Sequence, residues 1–536
     1  MINKKELRGK LFKHLDGLVT APTLVALNGK GVLAYFLEHG QANLSVLTSK
    51  FNANEGYLNV ALRVLASQGM LIQEIEKNHK DVHYKITDKG AVVFPIADVY
   101  NDVVDLIKLS GQYHPRKFER QPFEALHKLF IKYKEHFGLD LNGPDSRVHK
   151  EIIDHIEGFL VGPTLVHLGM GGMFHKYFME TSFRPDEFHS DPESFKKLLD
   201  FLVHLGWFTM KNENYQFTET GLFFAKRASA YGVTVSYLPT FRHLDDLIFG
   251  DPHVLRQSGN GSEELHVDRE MNVWGSGGAH SNYFKVVDEI IIELFNRPIE
   301  EQPKGILDMG CGNGAFLQHI FTVIDHHTLR GELLDEHPLF LVGVDYNEAA
   351  LKVTRRNLVQ SEIWAKVIWG DIGKPDRLAK DLNENYGIDL KELLNVRTFL
   401  DHNRIWEEPE KVNAERDSDS SGAYAFRGRR ISNNLVEDNL LQHMLRWAPY
   451  VEKFGLLAIE LHTIDPHLVA SALGKTAATA YDATHGFSDQ YIVEIEVFHQ
   501  VCAEAGLFSD HQVFTKFPNS ELGNISVNLL RGKRES

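Results

Sequence analysis

The chain has 536 residues, which is long for a single domain and predicts about three or four domains. Lys and Arg total 57 against 73 Asp and Glu, and the net charge of −16 argues against a nucleic-acid backbone as partner. Only two cysteines occur, Cys311 and Cys502, which argues against a disulfide framework and fits a reducing cytoplasm. Without a signal-peptide core or an apolar run of the ~18 residues that span a membrane, we expect a cytoplasmic protein with no membrane partner.

The first 240 residues contain an internal repeat. Three segments return in the same order: Gly17–Leu27 as Gly158–Leu168, Leu65–Leu71 as Leu202–Phe208, and Tyr84–Gly90 as Tyr215–Gly221. Ordered self-similarity of this kind indicates one supersecondary unit used twice. Apolar helices, a glycine-terminated helix and a short β-hairpin predict a winged helix in each copy, over residues 1–95 and 149–240.

A winged helix raises the question of DNA binding. The candidate recognition segments, Glu55–Arg63 and Ser194–Val203, carry few cations, which favours a structural or lid role. The first copy also resembles the N-terminal dimerisation domain of small-molecule O-methyltransferases, which use this fold for packing. Residues 96–148 are charged with helical periodicity and predict a helical connector, and residues 241–270 predict a linker.

The most informative stretch is Gly305–Phe316, GILDMGCGNGAF. It predicts the end of a buried parallel strand at Asp308, a tight turn, and a helix that begins at Ala315. Glycines at 310, 312 and 314 let the backbone pass close to a ligand. The spacing Asp-x-Gly-x-Gly-x-Gly, with Asp308, Gly310, Gly312 and Gly314, resembles motif I of the S-adenosylmethionine-dependent methyltransferases. The dinucleotide fingerprint fits less well because it lacks the strand-end Asp; the remaining alternative is an ordinary glycine-rich loop.

Two further acidic residues end predicted strands. Leu339–Asp345 is an apolar run whose Asp345 can accept hydrogen bonds from both ribose hydroxyls of a nucleoside. The segment between this strand and motif I is longer than usual, and we place the excess in a loop at residues 321–337. Lys366–Asp371 is the third strand, and Asp371 takes the position that faces the adenine amino group in methyltransferases. Three strand ends in register predict an S-adenosylmethionine site.

A Gly-rich segment with His280 and Tyr283 precedes a predicted amphipathic helix at residues 286–295. Its place next to motif I predicts that both side chains contact the methionine end of the cofactor. The alternative is a loop at a helix N-terminus, where Ser and Asn serve as caps.

Polar clusters then follow the fourth and fifth strands, where ligands lie in an open α/β sheet. The fourth strand exits through Asp401, His402, Asn403 and Arg404, and the fifth, Gly455–Ile464, carries Glu460 and His462. Residues 404–430 predict a lid or insertion, with Glu407–Ser421 mobile and charged. Its end, Phe426–Arg430, is a cationic cluster. Arg404, Arg427 and Arg429 are candidates for binding a substrate carboxylate or phosphate, and a solvated surface run is the alternative for the cluster.

Residues 480–491 predict a polar and aromatic loop before a helix at Ile492–Ala505. At this point the segments FLDHNR, FRGRR, ELHTI and YDATHGFSDQY resemble the metal-dependent C-methyltransferases of apratoxin-type polyketide synthases. The resemblance covers nearly the whole chain. It implies a tandem winged-helix lid, a class I core over residues 271–536, and a mononuclear iron or manganese site. It also implies His462 and Gln490 as the metal ligands, whereas ligand chemistry alone admits Asp401, His402, Asp482 and His485 equally.

We therefore predict an α/β, Rossmann-like class I methyltransferase preceded by a mainly helical winged-helix region. The favoured reaction is metal-assisted C-methylation of a malonyl-like or 2-oxo acid acceptor, free or carrier-bound, in natural-product biosynthesis. The metal would stabilise the enolate, and the site group Asp401, His402 and His485 would supply catalysis, with His402 or His485 taking the proton. The alternatives are a metal-free small-molecule O-methyltransferase and a non-enzymatic regulator that senses S-adenosylmethionine.

Overall fold

The computed structural model describes residues 3–77, 80–113, 118–256, 264–277 and 281–533. The chain divides into two compact units. The winged-helix unit consists of Met1–His280, Ala423–Ile431 and Asp465–Ser488, and the sheet unit consists of Ser281–Gly422, Ser432–Ile464 and Asp489–Ser536. Two segments from the C-terminal half of the chain therefore belong to the winged-helix unit, whereas the predicted domain boundaries place both in the methyltransferase domain.

The first half of the chain is mainly helical. Its helices are α1 (Lys4–Gly29), α2 (Val32–His39), α3 (Leu44–Phe51), α4 (Glu55–Ser67), α5 (Asp88–Val93), α6 (Asn101–Asp105), α7 (Arg120–Lys134), α8 (Ser146–Met170), α9 (Lys176–Glu180), α10 (Pro185–Phe188), α11 (Pro192–His204), α12 (Glu219–Ala225), α13 (Ser229–Ser236), α14 (Leu238–Phe241), α15 (Leu244–Phe249) and α16 (Arg269–Gly277). Its strands are β1 (Gln41–Asn43), β2 (Leu71–Ile75), β3 (Val82–Ile86), β4 (Phe208–Lys211) and β5 (Asn214–Phe217).

The second half alternates strands and helices. Its strands are β6 (Gly305–Met309), β7 (Phe340–Asp345), β8 (Lys366–Trp369), β9 (Leu393–Thr398), β10 (Tyr424–Phe426), β11 (Arg429–Ile431), β12 (Leu456–Leu461), β13 (Leu507–Ser509), β14 (Thr515–Phe517) and β15 (Ile525–Gly532). Its helices are α17 (Ser281–Phe295), α18 (Ala315–His327), α19 (Leu329–Glu332), α20 (Glu348–Gln360), α21 (Pro375–Tyr386), α22 (Asn433–Val451), α23 (Pro466–Ser471), α24 (Ala478–Gly486) and α25 (Ile495–Glu504).

Three local expectations differ from these elements. The predicted loop at 321–337 is largely helical, because α18 continues to His327 and α19 follows it. The predicted loop at 480–491 begins as helix α24, whose buried alanines and threonines pack inside the winged-helix unit. The predicted linker at 241–270 contains α15 and the start of α16; its residues 257–263 lie outside the described ranges.

The repeat appears in the structure as a symmetric helix pair. α1 and α8 carry the two copies of the repeated segment, and they pack directly on each other. A side chain at Gly17 would overlap the backbone of His155, and one at Gly158 would overlap the backbone of His14. The contact is therefore reciprocal between equivalent positions, and the absence of Cβ atoms allows the two backbones to approach.

Buried polar pairs follow the same symmetry. His14 Nδ1 lies 2.8 Å from the Tyr231 hydroxyl, and the equivalent His155 Nδ1 lies 3.0 Å from the hydroxyl of Tyr100. Each histidine of one copy is thus paired with a tyrosine that follows the wing of the other copy. Buried polar groups need such partners, which explains why the two copies keep these residues on the shared interface.

The symmetry breaks at the equivalent acids Asp16 and Glu157, both of which are buried. Burial raises the pKa of Asp16 to about 8, and this carboxyl is neutral when the protein is folded near neutral pH. Burial opposes ionisation of Glu157 too, but His14 and Lys10, whose Nζ lies 2.7 Å from Glu157 Oε2, lower its pKa to about 2. The pKa values of these two equivalent carboxyls therefore shift in opposite directions, because only Glu157 has His14 and Lys10 in contact.

Helix α4 of the first copy is enclosed within its unit. All residues from Gly56 to Ser67 are buried. The hairpin β10–β11 closes over its N-terminus, where a side chain at Gly56 would come within 2.7 Å of the Arg429 carbonyl oxygen. Inside, Arg63 Nε donates to Asp482 Oδ2 of α24 at 3.0 Å. In helix–turn–helix proteins this is the helix that enters the DNA groove; here its surface is occupied by the protein itself.

The sheet unit has the predicted class I architecture. Its main sheet has the strand order β13-β15-β12-β9-β6-β7-β8, with β14 paired to β15. β6 pairs in parallel with both β7 and β9, and β12 pairs in parallel with β9, whereas β15 runs antiparallel to β12. The strand order reverses between β6 and β9: β7 and β8 follow on one side of β6, and β9 and β12 lie on the other. Open α/β sheets bind ligands at such a point, beyond the carboxyl ends of their strands.

Within the described ranges, no single helix meets the length and hydropathy that a membrane span requires, although the bent pair α1 and α2 meets the criterion jointly.

We expect the Asp16→Asn variant to gain stability relative to wild type as the pH rises from 5 to 8. The pKa of Asp16 in the folded protein is about 8, against an ordinary value of 3.8 for an aspartate side chain. Folding therefore binds a proton across this range, and the wild type loses up to about 1.4 kcal/mol for each pH unit. Thermal unfolding followed by circular dichroism at several pH values measures the difference.

Glu157→Gln is the matched control at the equivalent position. In wild type the pKa of Glu157 is lowered from 4.5 to about 2. The variant should therefore be less stable than wild type at pH 7, and its stability should approach that of wild type as the pH falls towards 2. Parallel pH profiles for both variants and wild type would contradict the assignment of these two charges.

Candidate functional site

The loop after β6 has the backbone that its sequence predicts. Gly310, Gly312 and Gly314 have φ angles of +79°, +55° and +80°, in the left-handed region that favours glycine. The amides of Gly310 and Cys311 donate to the carbonyl of Val344 at 2.8 and 3.0 Å, which ties the loop to β7. Helix α18 starts directly after Gly314. The N-terminus of α18 and the three glycines, which lack Cβ atoms, therefore lie at the same place.

Asp308, at the end of β6, is buried, and its Oδ2 has no hydrogen-bond partner among the described residues. Burial raises the pKa of Asp308 to about 7, and the nearby Asp345 carboxylate adds to the rise. A buried carboxyl in this state would be stabilised by a cation. S-adenosylmethionine carries both a sulfonium and an ammonium group, and the donor set therefore fits this cofactor.

Asp345 ends β7 as predicted. Its Oδ2 accepts from the Gly312 amide at 3.0 Å and its Oδ1 accepts from the Asn347 amide at 2.8 Å. Asp345 thus holds the glycine loop against the second strand. Asp371 lies two residues beyond the end of β8, where its Oδ1 accepts from the Gly373 amide at 2.8 Å.

Of the other two predicted cofactor residues, the structure describes Tyr283. Tyr283 is buried on α17, with its ring 6.1 Å from that of Phe399 after β9 and 5.1 Å from that of Phe517. It therefore lies close to the exit of β9, in the sheet unit. His280 lies outside the described residues.

A buried histidine–carboxylate pair lies beyond the neighbouring strands β9 and β12. His402, in a short 3₁₀ turn, contacts Glu460 Oε1 through Nδ1. Glu460 also accepts from the amides of Asp401 and His402 at 2.9 and 3.3 Å, and from that of Leu461 at 2.7 Å. A carboxylate with this many donors is fixed in orientation, so the imidazole of His402 is held in one place and one tautomer.

Asp401 is engaged from the opposite side of the same turn. Its Oδ1 contacts Arg397 and accepts from His443 Nε2 at 2.8 Å. Burial would raise the pKa of Asp401, but the guanidinium of Arg397 and the bond from His443 hold it well below its usual range. Asp401 therefore stays an anion and anchors the turn, a role that differs from the predicted direct part in catalysis.

Arg404 is buried rather than presented to a substrate. Its Nε donates to Asn439 Oδ1 at 2.6 Å, and its Nη1 donates to the carbonyl of Asp401 at 2.9 Å. Arg404 therefore supports the turn that carries His402, and its role in substrate binding stays a prediction.

Four residues that the sequence offers as site or metal-ligand candidates belong to the winged-helix unit. His485 is buried on α24, and its Nδ1 lies 2.7 Å from the carbonyl oxygen of Tyr481. Arg427 and Arg429 are exposed on the hairpin β10–β11. Asp482, one of the alternative metal ligands, pairs with Arg63 instead. His402 alone of the predicted bases is therefore placed with the glycine loop in the sheet unit.

The predicted metal ligand His462 does not fit that role. It is buried after β12, its Nδ1 lies 3.0 Å from the Val493 carbonyl oxygen, and its Nε2 lies 2.7 Å from Ser526 Oγ. Both ring nitrogens are thus engaged by the protein, and burial lowers the pKa of His462 to about 3. Gln490 is buried beside Tyr491, whose amide donates to the His402 carbonyl at 2.8 Å. In the part of the chain that the structure describes, no group of three or more His, Cys, Asp or Glu residues is placed to hold a metal ion.

The segment Glu407–Ser421 is anchored, in contrast to the mobile loop that its composition predicts. Arg416 is buried and forms ion pairs with Asp438 at 2.7 Å, Glu437 at 3.0 Å and Glu504 at 2.7 Å. From sequence alone, a charged segment is predicted to be solvent-exposed unless its ion-pair partners are known. The partners of Arg416 lie on α22 and α25.

Sequence reasoning missed three residues that support the site: Arg397, His443 and Trp447. One signal was present, because an arginine inside the buried strand β9 needs a buried partner. His443 and Trp447 gave no comparable signal, since one histidine or tryptophan on a helix is most often part of a core.

Comparison with protein families matches three models along the chain. Residues 7–73 match the AprA N-terminal domain, residues 157–251 the AprA winged helix domain, and residues 264–528 the AprA MT2-like domain. A search of curated protein sequences found no match.

Solved structures with a similar fold include several methyltransferases. The mitomycin 7-O-methyltransferase MmcR is 12% identical, covers 73% of this chain and 100% of its own, and has a TM-score of 0.40. An O-methyltransferase family protein from Burkholderia thailandensis is 10% identical, with 72% and 98% coverage and a TM-score of 0.40. LepI in complex with SAM is 10% identical, with 82% and 100% coverage and a TM-score of 0.41. At these TM-scores the likenesses carry no functional argument.

We expect the affinity for S-adenosylmethionine to increase with pH around 7. Asp308 has a pKa of about 7, and a cationic ligand favours its ionised form. The Kd should fall by up to about tenfold per pH unit below pH 7 and level off above it. Isothermal titration calorimetry between pH 5.5 and 8.5 measures this.

The control is Asp308→Asn, whose affinity should be weaker and nearly independent of pH over the same range. The neutral fragment 5′-methylthioadenosine should also bind wild type without this pH dependence. Equal slopes for wild type and the variant would show that Asp308 does not sense the cofactor.

Proposed function

Because the chain belongs to the AprA-like S-adenosylmethionine-dependent methyltransferases, we propose that it methylates a carbon of a malonyl-like or 2-oxo acid acceptor with His402 as general base. The acceptor is a small molecule, free or attached to a carrier protein. The choice of a carbon acceptor rests on the resemblance of its site segments to the apratoxin-type C-methyltransferases. The choice of the base rests on geometry.

The buried pair of His402 and Glu460 is the observation that carries this proposal. Glu460 accepts from three backbone amides and from His402 Nδ1. The hydrogen bond assigns the proton to Nδ1 and leaves Nε2 as the basic atom of the ring. The pair has the elements of a general base: an imidazole for the proton and a carboxylate that orients it.

The cofactor residues lie on the neighbouring strands of the same sheet. Asp308, Asp345 and the glycine loop would hold S-adenosylmethionine, and Asp371 would contact the adenine. When bound, this cofactor supplies the electrophilic methyl group of its sulfonium. β6 and β9 are adjacent and parallel, so their carboxyl ends open at one edge of the sheet. An acceptor at this edge is within reach of both halves of the site.

The chemistry assigned to the protein is the preparation of a carbon nucleophile. His402 Nε2 takes the proton from the acidic carbon between two carbonyl groups, and Glu460 stabilises the imidazolium that results. The electron pair on this carbon would form the bond to the methyl group as the bond from methyl to sulfur breaks, with that bond's electrons staying on the sulfur of S-adenosylhomocysteine. The imidazolium would lose its proton to solvent when the products leave. Burial of the pair excludes water and strengthens the attraction between imidazolium and carboxylate.

No residue role in this mechanism depends on iron or manganese, because the nitrogens of His462 are engaged by Val493 and Ser526. The binding of a carboxylate or phosphate by Arg427 and Arg429 stays a prediction that rests on their charge and exposure.

We expect His402→Ala to lower kcat by about 100-fold or more, in the range of general base catalysis. Glu460→Gln should lower kcat less, since the amide still occupies the site but no longer stabilises the imidazolium. The assay uses S-adenosylmethionine labelled with ¹³C at the methyl group and malonyl thioesters, and NMR identifies the product carbon. His326→Ala, an exposed histidine on α18, is the control and should retain wild-type turnover.

Two results would redirect this proposal. A methoxy product would identify an oxygen acceptor and an O-methyltransferase. Loss of activity on chelation, with recovery on adding iron or manganese, would return the reaction to metal assistance, with ligands other than His462 in the present geometry.

A further inference from the structure

One face of helix α22 carries three buried side chains with hydrogen-bonding groups at four-residue spacing, Asn439, His443 and Trp447. Residues four apart lie above one another on a helix, so the three side chains form one row. Each of them makes a hydrogen bond to a loop at the carboxyl edge of the sheet, and the three bonds go to two different loops.

Two members of the row hold the turn that carries His402. His443 Nε2 donates to Asp401 Oδ1 at 2.8 Å, directly before His402. Asn439 Oδ1 accepts from Arg404 Nε at 2.6 Å, two residues after it. Burial lowers the pKa of His443 to about 4, so its ring is neutral. The proton of the neutral ring is on Nε2, which donates the hydrogen bond to Asp401. Both ends of the turn are therefore fixed from one helix.

The third member holds the loop on the cofactor side. Trp447 Nε1 donates to the carbonyl of Ile372 at 2.7 Å, and Ile372 follows Asp371. The neighbouring Arg446 donates to the next carbonyl, that of Gly373, at 3.3 Å. The indole also packs against the guanidinium of Arg397, which lies 4.0 Å from its ring centre and contacts Asp401.

Apolar side chains would fill such a row at lower cost. Burying Arg397, Asp401 and His443 removes their hydration, and a buried polar network of this kind contributes little net stability compared with a packed apolar core. Its hydrogen bonds instead fix the geometry of the two loops that it reaches. A positioning role accounts for the polar residues where a packing role does not.

We propose that α22 is the positioning element of the methyltransferase site, with His443 fixing the turn that carries the base and Trp447 fixing the loop at Asp371. These are positioning residues, because neither contacts a reacting atom. The His443 arm rests on the proposed function of His402; the Trp447 arm concerns cofactor binding and is independent of the acceptor.

The two positioning residues should affect different quantities: His443 the kcat, and Trp447 the Kd for S-adenosylmethionine. His443→Leu removes the donor to Asp401 and should lower kcat by about 2- to 10-fold, the range of one buried hydrogen bond, with an unchanged Kd for S-adenosylmethionine. His443→Gln keeps an N–H donor near Nε2 and should recover most of the loss. Trp447→Phe keeps a ring beside Arg397, loses the bond to Ile372, and should raise the Kd for S-adenosylmethionine by about 2- to 10-fold with kcat at saturation unchanged.

Calorimetric titration with S-adenosylmethionine and turnover at saturating cofactor are measured for each variant. Leu445→Ala, on the exposed face of the same helix, is the control and should change neither quantity. Thermal unfolding checks that each variant is folded; if His443→Leu is not, Asn439→Leu removes the bond to Arg404 and should show the same fall in kcat.

Equal changes in kcat and Kd for the His443 and Trp447 variants, or a failure of His443→Gln to recover activity, would overturn the proposal and leave α22 a packing helix. His402→Ala in the same assay separates this from the proposed function. If His402→Ala retains its kcat, the base assignment fails, and the Kd of Trp447→Phe still decides the cofactor arm.

Discussion

A charged group that leaves water must find its partner inside the protein, and this requirement decides which distant segments of the chain meet. Arg63 of α4 pairs with Asp482 of α24, more than four hundred residues later, within the winged-helix unit. In the sheet unit Arg397 and His443 meet at Asp401. Each pair fixes a backbone segment that hydrophobic packing alone would place less exactly in angle and register. The candidate site is built from segments held in this way.

The sheet unit shows how such pairs become useful chemistry. Glu460 is enclosed by three backbone amides and one imidazole. The same carboxylate fixes the turn and orients the histidine, so a structural need and a catalytic one are met by one group. Asp308 is the contrasting case. Burial and the nearby Asp345 carboxylate raise its pKa, and the buried carboxyl becomes sensitive to any cation placed next to it.

Much of the fold was predictable from the sequence because the signals are local. Asp308 and the three glycines specify a strand, a turn and a helix within a dozen residues, and the repeat specifies two winged helices by comparison with itself. His402 and Glu460 were placed at strand ends by the same local logic. The failures concern contacts between distant segments. The engaged nitrogens of His462 and the partners of Arg416 depend on residues that only the folded chain brings near, and the helical state of residues 478–486 depends on burial beside α4.

The two segments that the winged-helix unit takes from the later half of the chain have a consequence for its biosynthesis. Residues 423–431 and 465–488 leave the ribosome long after residue 280. At a synthesis rate of about 5–20 residues per second, this delay is roughly 10 to 40 seconds. During that interval α4 lacks the hairpin and the helix that cover it, and Arg63 has no access to Asp482. The N-terminal half is therefore an incomplete unit with exposed apolar surface during this interval, a state in which chaperones protect nascent chains. The ribosome must synthesise the fifth strand of the sheet before the first helices of the winged-helix unit are enclosed.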